Sequence, residues 1–214
     1  MRDMKNEHVC YIVGASDFFE DFCVNEGDLV IAADGGYDRL LKKGISPSVI
    51  IGDMDSVKEV PDGVEAVRFP IEKDETDTHL AYLLGYERGF RNFMIFGGTG
   101  GRLDHTLANL SLLLRIKLDG ADARLIGSGY EMRVIKDETV TLCGRAGGDV
   151  SVFAIGGRAE GVCIEGLKYE ADNVTLEESF ALGVSNSFSE SGVGRISVKR
   201  GSLLVMTEFI SKNA

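Results

Sequence analysis

The sequence predicts two domains of different class: an N-terminal α/β domain with a mostly parallel sheet, and a C-terminal all-β sandwich. Three observations support this division. Residues 1–128 alternate short apolar runs with amphipathic stretches, whereas residues 129–214 consist of short segments in which apolar and polar residues alternate. A Gly127-Ser128-Gly129 turn separates the two patterns. We therefore expect the domain boundary at residue 128.

Five short apolar runs in the first half are predicted as strands, because each ends in glycine or a small polar residue. They are HVCYIVGAS, DLVIAADGG, SVIIGDMDS, NFMIFGGTG and ARLIGSG. Between them we predict helices over 37–43, 75–88 and 103–117 with leucines facing the core. These inward leucines are Leu40, Leu41, Leu80, Leu83, Leu84, Leu103, Leu107, Leu110 and Leu114. Such alternation is typical of a parallel sheet, whose ligands bind beyond the carboxyl ends of the strands.

The second half shows the two-residue period of half-buried strands. The segments are MRVIKDETVTL, DVSVFAIGG, GVCIEGLKYE and GRISVKRGSLLVMTEF, and glycines and polar turns separate them. Short strands with this spacing and no intervening helix are typical of a small β-sandwich.

Composition excludes several classes of partner. With 44% hydrophobic and 27% charged residues, a chain of 214 residues can bury a sizeable core. The net charge of −11 argues against nucleic acid and anionic membranes as partners. The four cysteines form no CxxC pair, which indicates reduced thiols and a cytoplasmic protein. No apolar run reaches the roughly 20 residues of a membrane span.

Acidic residues recur where a predicted strand ends or the next helix begins. They are Asp34, Asp53, Asp55, Asp74, Asp77 and Asp104. Any one of them alone is explained by a turn or by a helix N-terminus. Together, at one edge of a parallel sheet, these carboxylates would repel one another unless they were protonated or neutralised. Because hard oxygen ligands suit Mg²⁺, the set predicts a magnesium site.

A glycine-rich turn supplies the complementary chemistry. The segment FGGTGGRLDH, residues 96–105, offers backbone N–H groups at a helix N-terminus and a guanidinium at Arg102 for phosphate. It is neither a Walker A loop nor a dinucleotide-binding GxGxxG motif. Next to an acidic metal site it indicates a nucleoside triphosphate. His79 and His105 are interpreted as exposed or capping histidines rather than general bases.

With these motifs in place, the chain resembles the thiamine pyrophosphokinase family. The matching segments are ADGGYDRLL, SPSVIIGDMDSV, FPIEKDETDTHLA, GGTGGRLDHTLANLSLL, GLKY and VSNSF, and they span nearly the whole chain. The combination of GDxDS, DxTD and GGRxDH carries the resemblance. It implies an α/β catalytic domain over residues 1–128 that binds ATP and Mg²⁺, a thiamine-binding β-sandwich over residues 129–214, and a homodimer with active sites at the subunit interface.

The resemblance also implies roles for individual residues. The metal-binding set is Asp34, Asp53, Asp55 and Asp77, and the ATP-binding set is Gly35, Gly36, Ser56, Asp74, Thr76 and Arg102. The thiamine-binding set is Asp104, Tyr169, Ser185 and Asn186, and the catalytic set is Asp55, Asp77 and Asp104. The chain departs from the family pattern at Met54, where phenylalanine is frequent, at Glu170, where proline is expected, and in having no tryptophan.

The reaction implied is the transfer of a pyrophosphoryl group from ATP to the thiamine hydroxyl, giving thiamine diphosphate and AMP. Mg²⁺ would lie between the aspartates and the triphosphate, and Asp77 or Asp104 would accept the hydroxyl proton. Two alternatives stay open. One is a Mg²⁺-dependent transferase acting on another alcohol, such as a pterin carbinol. The other is a non-catalytic sensor of nucleotide or thiamine.

Overall fold

The computed structural model describes residues 8–18, 20–52, 60–69 and 74–208. The chain divides into two compact units, Met1–Ser128 and Gly129–Ala214. The strands of the first unit are β1 Val9–Val13, β2 Leu29–Ala33, β3 Val49–Gly52, β4 Glu65–Arg68, β5 Asn92–Phe96 and β6 Asp122–Gly127. Within this unit they lie in the order β6-β5-β1-β2-β3-β4, and all neighbours pair in parallel. The prediction of an α/β domain with a mostly parallel sheet is confirmed.

The strand order reverses at β1. The chain passes outward from β1 through β2 and β3 to β4, and then returns to the other side of β1 with β5 and β6. The connections that leave β1 and β5 therefore run in opposite directions, which opens a crevice beyond the carboxyl ends of these two strands. A ligand pocket is expected at this position.

In the described part of this unit, three helices accompany the sheet: α1 Gly36–Lys42, α2 Asp77–Glu87 and α3 Leu103–Leu118. The prediction of their inward faces was partly wrong, because Leu41, Leu83, Leu103 and Leu107 are exposed. Helix α3 instead buries Asn109, Leu112, Leu113 and Ile116. The second half of α3 is apolar on several sides, so the spacing of leucines alone did not identify the buried face.

Helix α2 packs on the sheet through Gly85 rather than Leu83. A Cβ atom at Gly85 would lie 2.8 Å from Cys10 Sγ on β1 and 2.9 Å from the ring of Phe93 on β5. This close approach turns Leu83 toward solvent, and Tyr82 is fully buried beside Gly85.

Strand β4 was not predicted. It pairs in parallel with β3, from Val49 opposite Glu65 to Gly52 opposite Arg68. Three of its four residues are exposed. An edge strand of charged residues has no apolar run that would reveal it in the sequence.

The second unit, as far as residue 208, contains eight antiparallel strands. They are β7 Tyr130–Lys136, β8 Thr139–Cys143, β9 Asp149–Ala154, β10 Ala159–Glu165, β11 Ala171–Leu176, β12 Gly183–Ser187, β13 Val193–Ser197 and β14 Ser202–Glu208. Within this unit they form two layers, β12-β9-β14-β7 and β11-β10-β13-β8. Side chains of both layers, among them Val152, Val162, Ile196 and Leu203, share one buried core. The predicted sandwich is confirmed, although β11 and β12 had not been recognised as strands.

Within the described ranges, no helix has both the length and the apolar character needed to cross a membrane.

Candidate active site

A pocket of about 300 Å³ lies in the first unit at the carboxyl ends of β1, β2 and β5, beside the N-termini of α2 and α3. This is the crevice where the strand order reverses. The residues that line the pocket are Gly14, Ala15, Ser16, Ala33, Asp34, Asp74, Glu75, Thr76, Asp77, Thr78, Gly97, Gly98, Arg102, His105 and Asn109. The parallel sheet thus brings four segments that are distant in sequence to one site: residues 14–16, 33–34, 74–78 and 97–109.

Two backbone segments in direct contact form one side of the pocket. Gly14 N donates to Phe96 O at 2.8 Å, and Ser16 N donates to Gly97 O at 3.1 Å. Gly97 has a φ of 63°, and a Cβ atom there would lie 2.5 Å from Gly14 O. Only glycine combines this conformation with this approach. The turn after β5 is therefore fixed against the turn after β1.

Two aspartates of the predicted metal-binding set lie at the end of β3. Asp34 follows β2, and its N–H donates to Ile51 O at 2.8 Å. A Cβ atom at Gly52 would lie 3.4 Å from Asp34 Cα and 4.0 Å from Asp77 Oδ1. Asp34 and Asp77 therefore flank the last residue of β3.

Three predicted site residues come directly after Gly52 in the chain. Asp53, Asp55 and Ser56 lie outside the described residues, so their roles remain predictions. Within the described ranges, no three side chains of the types that bind metals lie close enough together to hold an ion. The described part contributes Asp34 and Asp77 to the proposed metal set, and Asp74 also lines the pocket.

Thr76 begins helix α2 as its N-cap. Its hydroxyl accepts a hydrogen bond from His79 N at 3.2 Å. This bond satisfies one of the free N–H groups in the first turn and fixes the start of the helix. Asp77, the first residue of α2, is thereby held at the pocket. The predicted contact of Thr76 with ATP remains a prediction.

Arg102 lines the pocket and is paired with Asp104. Arg102 Nη2 lies 2.5 Å from Asp104 Oδ2, and Arg102 Nε donates to Asp104 Oδ1 at 3.1 Å. The hydrogen bonds from Arg102 hold the pKa of Asp104 below its usual range, and the same pair raises the pKa of Arg102. Both side chains are exposed, at 72% and 63%. The guanidinium is therefore charged and accessible to an anion that enters the pocket.

Gly35 and Gly36 have a packing role that the sequence did not reveal. A Cβ atom at Gly36 would lie 1.8 Å from Val13 O, and one at Gly35 would lie 3.2 Å from the Cβ of Ala15. Helix α1 therefore begins in direct contact with the end of β1. Neither glycine is among the residues that line the pocket, and their predicted contact with ATP remains a prediction.

Sequence reasoning missed the residues that support the pocket from β1 and α3. Gly14, Ala15 and Ser16 come from the VGAS segment, and only the strand order places them beside β5. Asn109 is 4% exposed, and its Nδ2 donates to Gly98 O at 2.8 Å. The available signal was a lone amide within the leucine-rich part of α3.

The predicted thiamine-binding residues of the second unit lie together. Tyr169 is 60% exposed, whereas Asn186 is 5% exposed. Asn186 Oδ1 accepts from Tyr169 N and from Ser187 N at 2.9 Å each, and Asn186 Nδ2 donates to Tyr169 O at 2.7 Å. Ser185 precedes Asn186 with a φ of 62°. The buried amide of Asn186 thus holds Tyr169 next to Ser185.

Comparison with known proteins relates both units to one family. Residues 22–125 match the family model described as thiamin pyrophosphokinase, catalytic domain. Residues 133–203 match the model described as thiamin pyrophosphokinase, vitamin B1 binding domain. These two matches agree in position with the α/β unit and the β-sandwich.

Named relatives and a solved structure agree with the family models. The chain is 29% identical over 196 residues to the thiamine pyrophosphokinase of Bacillus subtilis, which covers 85% of this chain and 88% of that protein. It is also 29% identical over 190 residues to thiamin pyrophosphokinase 1 of Caenorhabditis elegans, covering 79% and 75% respectively. The crystal structure of the Bacillus subtilis thiamine pyrophosphokinase superposes with a TM-score of 0.85 at 25% identity, covering 94% of this chain and 99% of that one. The chain therefore belongs to the thiamine pyrophosphokinase family and is an enzyme of that family.

Proposed function

We propose that this enzyme binds ATP in the pocket at the ends of β1, β2 and β5 and transfers its β,γ-pyrophosphoryl group to the hydroxyl of thiamine. A bond forms between the thiamine oxygen and the β-phosphorus, and the bond from the β-phosphorus to the oxygen bridging to the α-phosphorus breaks. The products are thiamine diphosphate and AMP. The observation that carries the proposal is the meeting of Asp34 and Asp77 with a glycine-rich turn and Arg102 in one pocket.

The residues of the pocket fit a hard divalent cation. Asp34 and Asp77 both line the pocket, and Mg²⁺ prefers oxygen ligands from one or two carboxylates together with substrate phosphates. We propose that these two aspartates hold Mg²⁺ together with Asp53 and Asp55. When bound, the ion would neutralise charge on the triphosphate and make the β-phosphorus more electrophilic.

The chain's own groups would orient the triphosphate. The N–H groups at the N-terminus of α3 and the turn at Gly97 and Gly98 form a surface that suits an anion. The guanidinium of Arg102 would exchange Asp104 for phosphate oxygens, because a multiply charged phosphate competes well for a paired but exposed arginine. Asp104 would then be released to face thiamine. Asp77 or Asp104 would accept the proton of the attacking hydroxyl.

We propose that the second unit holds thiamine through Tyr169, Ser185 and Asn186. The exposed ring of Tyr169 can stack on the thiazolium or the pyrimidine, because aromatic faces attract cations. Since Asn186 Oδ1 already accepts two backbone N–H groups, its part is mainly to hold Tyr169 in place. Ser185 is exposed and directly precedes Asn186, so its hydroxyl is accessible to a ligand.

We propose a homodimer as the active form. Exposed apolar side chains lie next to the proposed thiamine contacts, on β12 and on the loop before it: Phe180, Leu182 and Val184, at 66%, 58% and 42% exposure. Large apolar side chains exposed this close together in the chain suit a protein interface. Leu182→Glu would shift the protein from dimer to monomer in analytical ultracentrifugation, whereas Val193→Glu, on a different sheet, would not. A wild-type monomer would contradict the proposal.

We also propose a cytoplasmic location. In the described ranges Cys10, Cys23, Cys143 and Cys163 are all free thiols, which suits a reducing compartment. Cell fractionation would test this directly, and recovery of the protein in an oxidising compartment would contradict it.

The function is tested by incubating the purified protein with ATP, Mg²⁺ and thiamine, with and without EDTA, and separating the nucleotides and thiamine species by chromatography. The proposal requires AMP and thiamine diphosphate in equal amounts, and none with EDTA. ADP with thiamine monophosphate would keep the substrate but refute attack at the β-phosphorus. ATP binding without any thiamine product would favour another alcohol or a sensor.

A single substitution tests the metal set. Asp55→Asn should leave the unfolding midpoint nearly unchanged and lower turnover by about two orders of magnitude or more, because one anionic ligand is lost. Asp62→Asn, at an exposed turn before β4, is the matched control and should be as active as the wild type. Full activity of Asp55→Asn would remove that residue from the metal set.

A further inference from the structure

The loop between β1 and β2, residues 14–28, forms one wall of the pocket. Gly14, Ala15 and Ser16 line it. Apart from Phe19, which lies outside the described residues, this loop contains neither helix nor strand. On its inner side it is fixed by the hydrogen bonds of Gly14 and Ser16 to the turn after β5. A loop of this length requires a second attachment on its outer side if its pocket-lining residues are to keep one conformation.

Helix α1 supplies that attachment through Arg39. Its Nε donates to Ala15 O at 2.9 Å, and its Nη1 lies 2.8 Å from Asp17 Oδ1. These two partners lie on either side of Ser16. The Arg39 side chain is 27% exposed, so the contact is partly shielded from water. A planar guanidinium can bond to a carbonyl and a carboxylate at once in fixed directions, which the single ammonium of lysine cannot do.

We infer that Arg39 is a positioning residue for the nucleotide pocket, an inference that rests on the proposed function for the identity of the nucleotide. Arg39 is not among the residues that line the pocket. By holding Ala15 and Asp17 it sets the position of Ser16 between them. The loop residues that line the pocket are then already ordered before a nucleotide binds. The nucleotide does not have to order them, so its binding free energy is not reduced by that cost.

The chain provides a matched control four residues along. Lys43 Nζ lies 2.9 Å from Asp21 Oδ1 and 5.0 Å from the centre of the Phe18 ring. This second cation at the end of α1 thus contacts the same loop, but Asp21 and Phe18 do not line the pocket. If Arg39 acts on the pocket, the two cations must differ in their effect on ATP. If both merely stabilise the loop, they must act alike.

The test compares wild type, Arg39→Gln, Arg39→Lys, Asp17→Asn and Lys43→Gln by the affinity for MgATP in calorimetry and by steady-state kinetics. Losing two bonds to a charged group should weaken MgATP binding and raise KM for ATP about tenfold in Arg39→Gln. KM for thiamine should stay within about twofold, and kcat should change less than KM for ATP, because no reacting atom is touched. Arg39→Lys should recover part of the loss. Asp17→Asn keeps the bond to Ala15 and should lose only about two- to threefold.

A second readout does not depend on catalysis. Hydrogen exchange of the Gly14 and Ser16 amides, measured without ligand, should be faster in Arg39→Gln than in wild type and unchanged in Lys43→Gln. Equal effects of Arg39→Gln and Lys43→Gln on MgATP affinity would overturn the inference. Unchanged MgATP affinity in Arg39→Gln would do so as well.

The proposed function and the inference fail in different ways. A wild type that binds MgATP but makes no thiamine product refutes the function, while the affinities of the five proteins still decide the role of Arg39. A wild type that does not bind MgATP overturns both.

Discussion

The buried amide of Asn109 gives the sharpest test of how the glycine-rich turn is held. Its Nδ2 donates to Gly98 O at 2.8 Å, and a Cβ atom at Gly98 would lie 2.9 Å from that nitrogen. Asn109→Ala would leave the carbonyl without this donor and create a small cavity. An unsatisfied buried acceptor costs about 1–3 kcal/mol, and the cavity adds about 1 kcal/mol. We expect a loss of about 2–4 kcal/mol in the free energy of unfolding.

For a protein of this size that loss lowers the unfolding temperature by about 4–16 °C. Asn109→Asp keeps the volume but replaces the donor with a carboxylate oxygen, so its loss should be at least as large. Both variants should bind MgATP about tenfold more weakly, because the turn that faces the phosphates moves. Scanning calorimetry measures the unfolding temperature, and titration calorimetry measures the affinity for MgATP.

Ser111→Ala is the matched control on the same helix. Ser111 Oγ donates to Leu107 O at 3.2 Å on an exposed face, so its loss should shift the unfolding temperature by about 1 °C or less. The unfolding temperature of Asn109→Ala could instead lie within about 1 °C of the wild-type value, with equal MgATP affinity. That result would show that the amide does not anchor the turn.

Three further predictions follow from the site and the packing around it. Asp77→Asn should lower AMP release by about a hundredfold or more with little change in stability; a wild-type rate would exclude Asp77 from metal binding. Gly36→Ala would place a methyl group 1.8 Å from Val13 O, so urea denaturation should show a loss of about 3 kcal/mol or more, and an unchanged midpoint would contradict the contact. Burial tends to raise the pKa of Asp119, but hydrogen bonds from Arg115 and Tyr82 lower this pKa overall. Its stabilisation should therefore be present above about pH 4, the unfolded value, and be lost as pH falls through the lower folded value; Asp119→Asn should flatten this acid limb in melting curves.

Most of the fold could be predicted because the central strands are continuous apolar runs. Strand β2, Leu29–Ala33, is buried along its whole length, and such a run followed by a helical pattern has few other interpretations. Strand β4 lacked that signal, because Glu65 and Arg68 are exposed at the sheet edge. The buried face of α3 was also not predictable. Leu107 and Leu110 define one possible apolar face at helical spacing, and Leu112, Leu113 and Ile116 define another.

Site residues could be predicted where the residue type itself indicates the chemistry. Residues that reach the site only through the strand order could not be predicted. Asp34 and Asp77 could be identified because carboxylates after strands and before helices share one sheet edge. Gly14 and Ser16 could not, because their place in the pocket depends on β1 lying next to β5, and strand order is not written in local periodicity. The attachment of the same loop by Arg39 depends on that order too.

The backbone conformation of Asp34 bears on whether the site requires its backbone N–H or its carboxylate. Its φ of 51° lies in the left-handed region, which costs a residue with a side chain roughly 1 kcal/mol or more. A glycine would take the same backbone conformation without strain and would still donate its N–H to Ile51 O. The backbone therefore gives no reason for an aspartate at position 34. A contribution from the carboxylate would offset this strain, and the proposed binding of a cation by Asp34 and Asp77 would supply one.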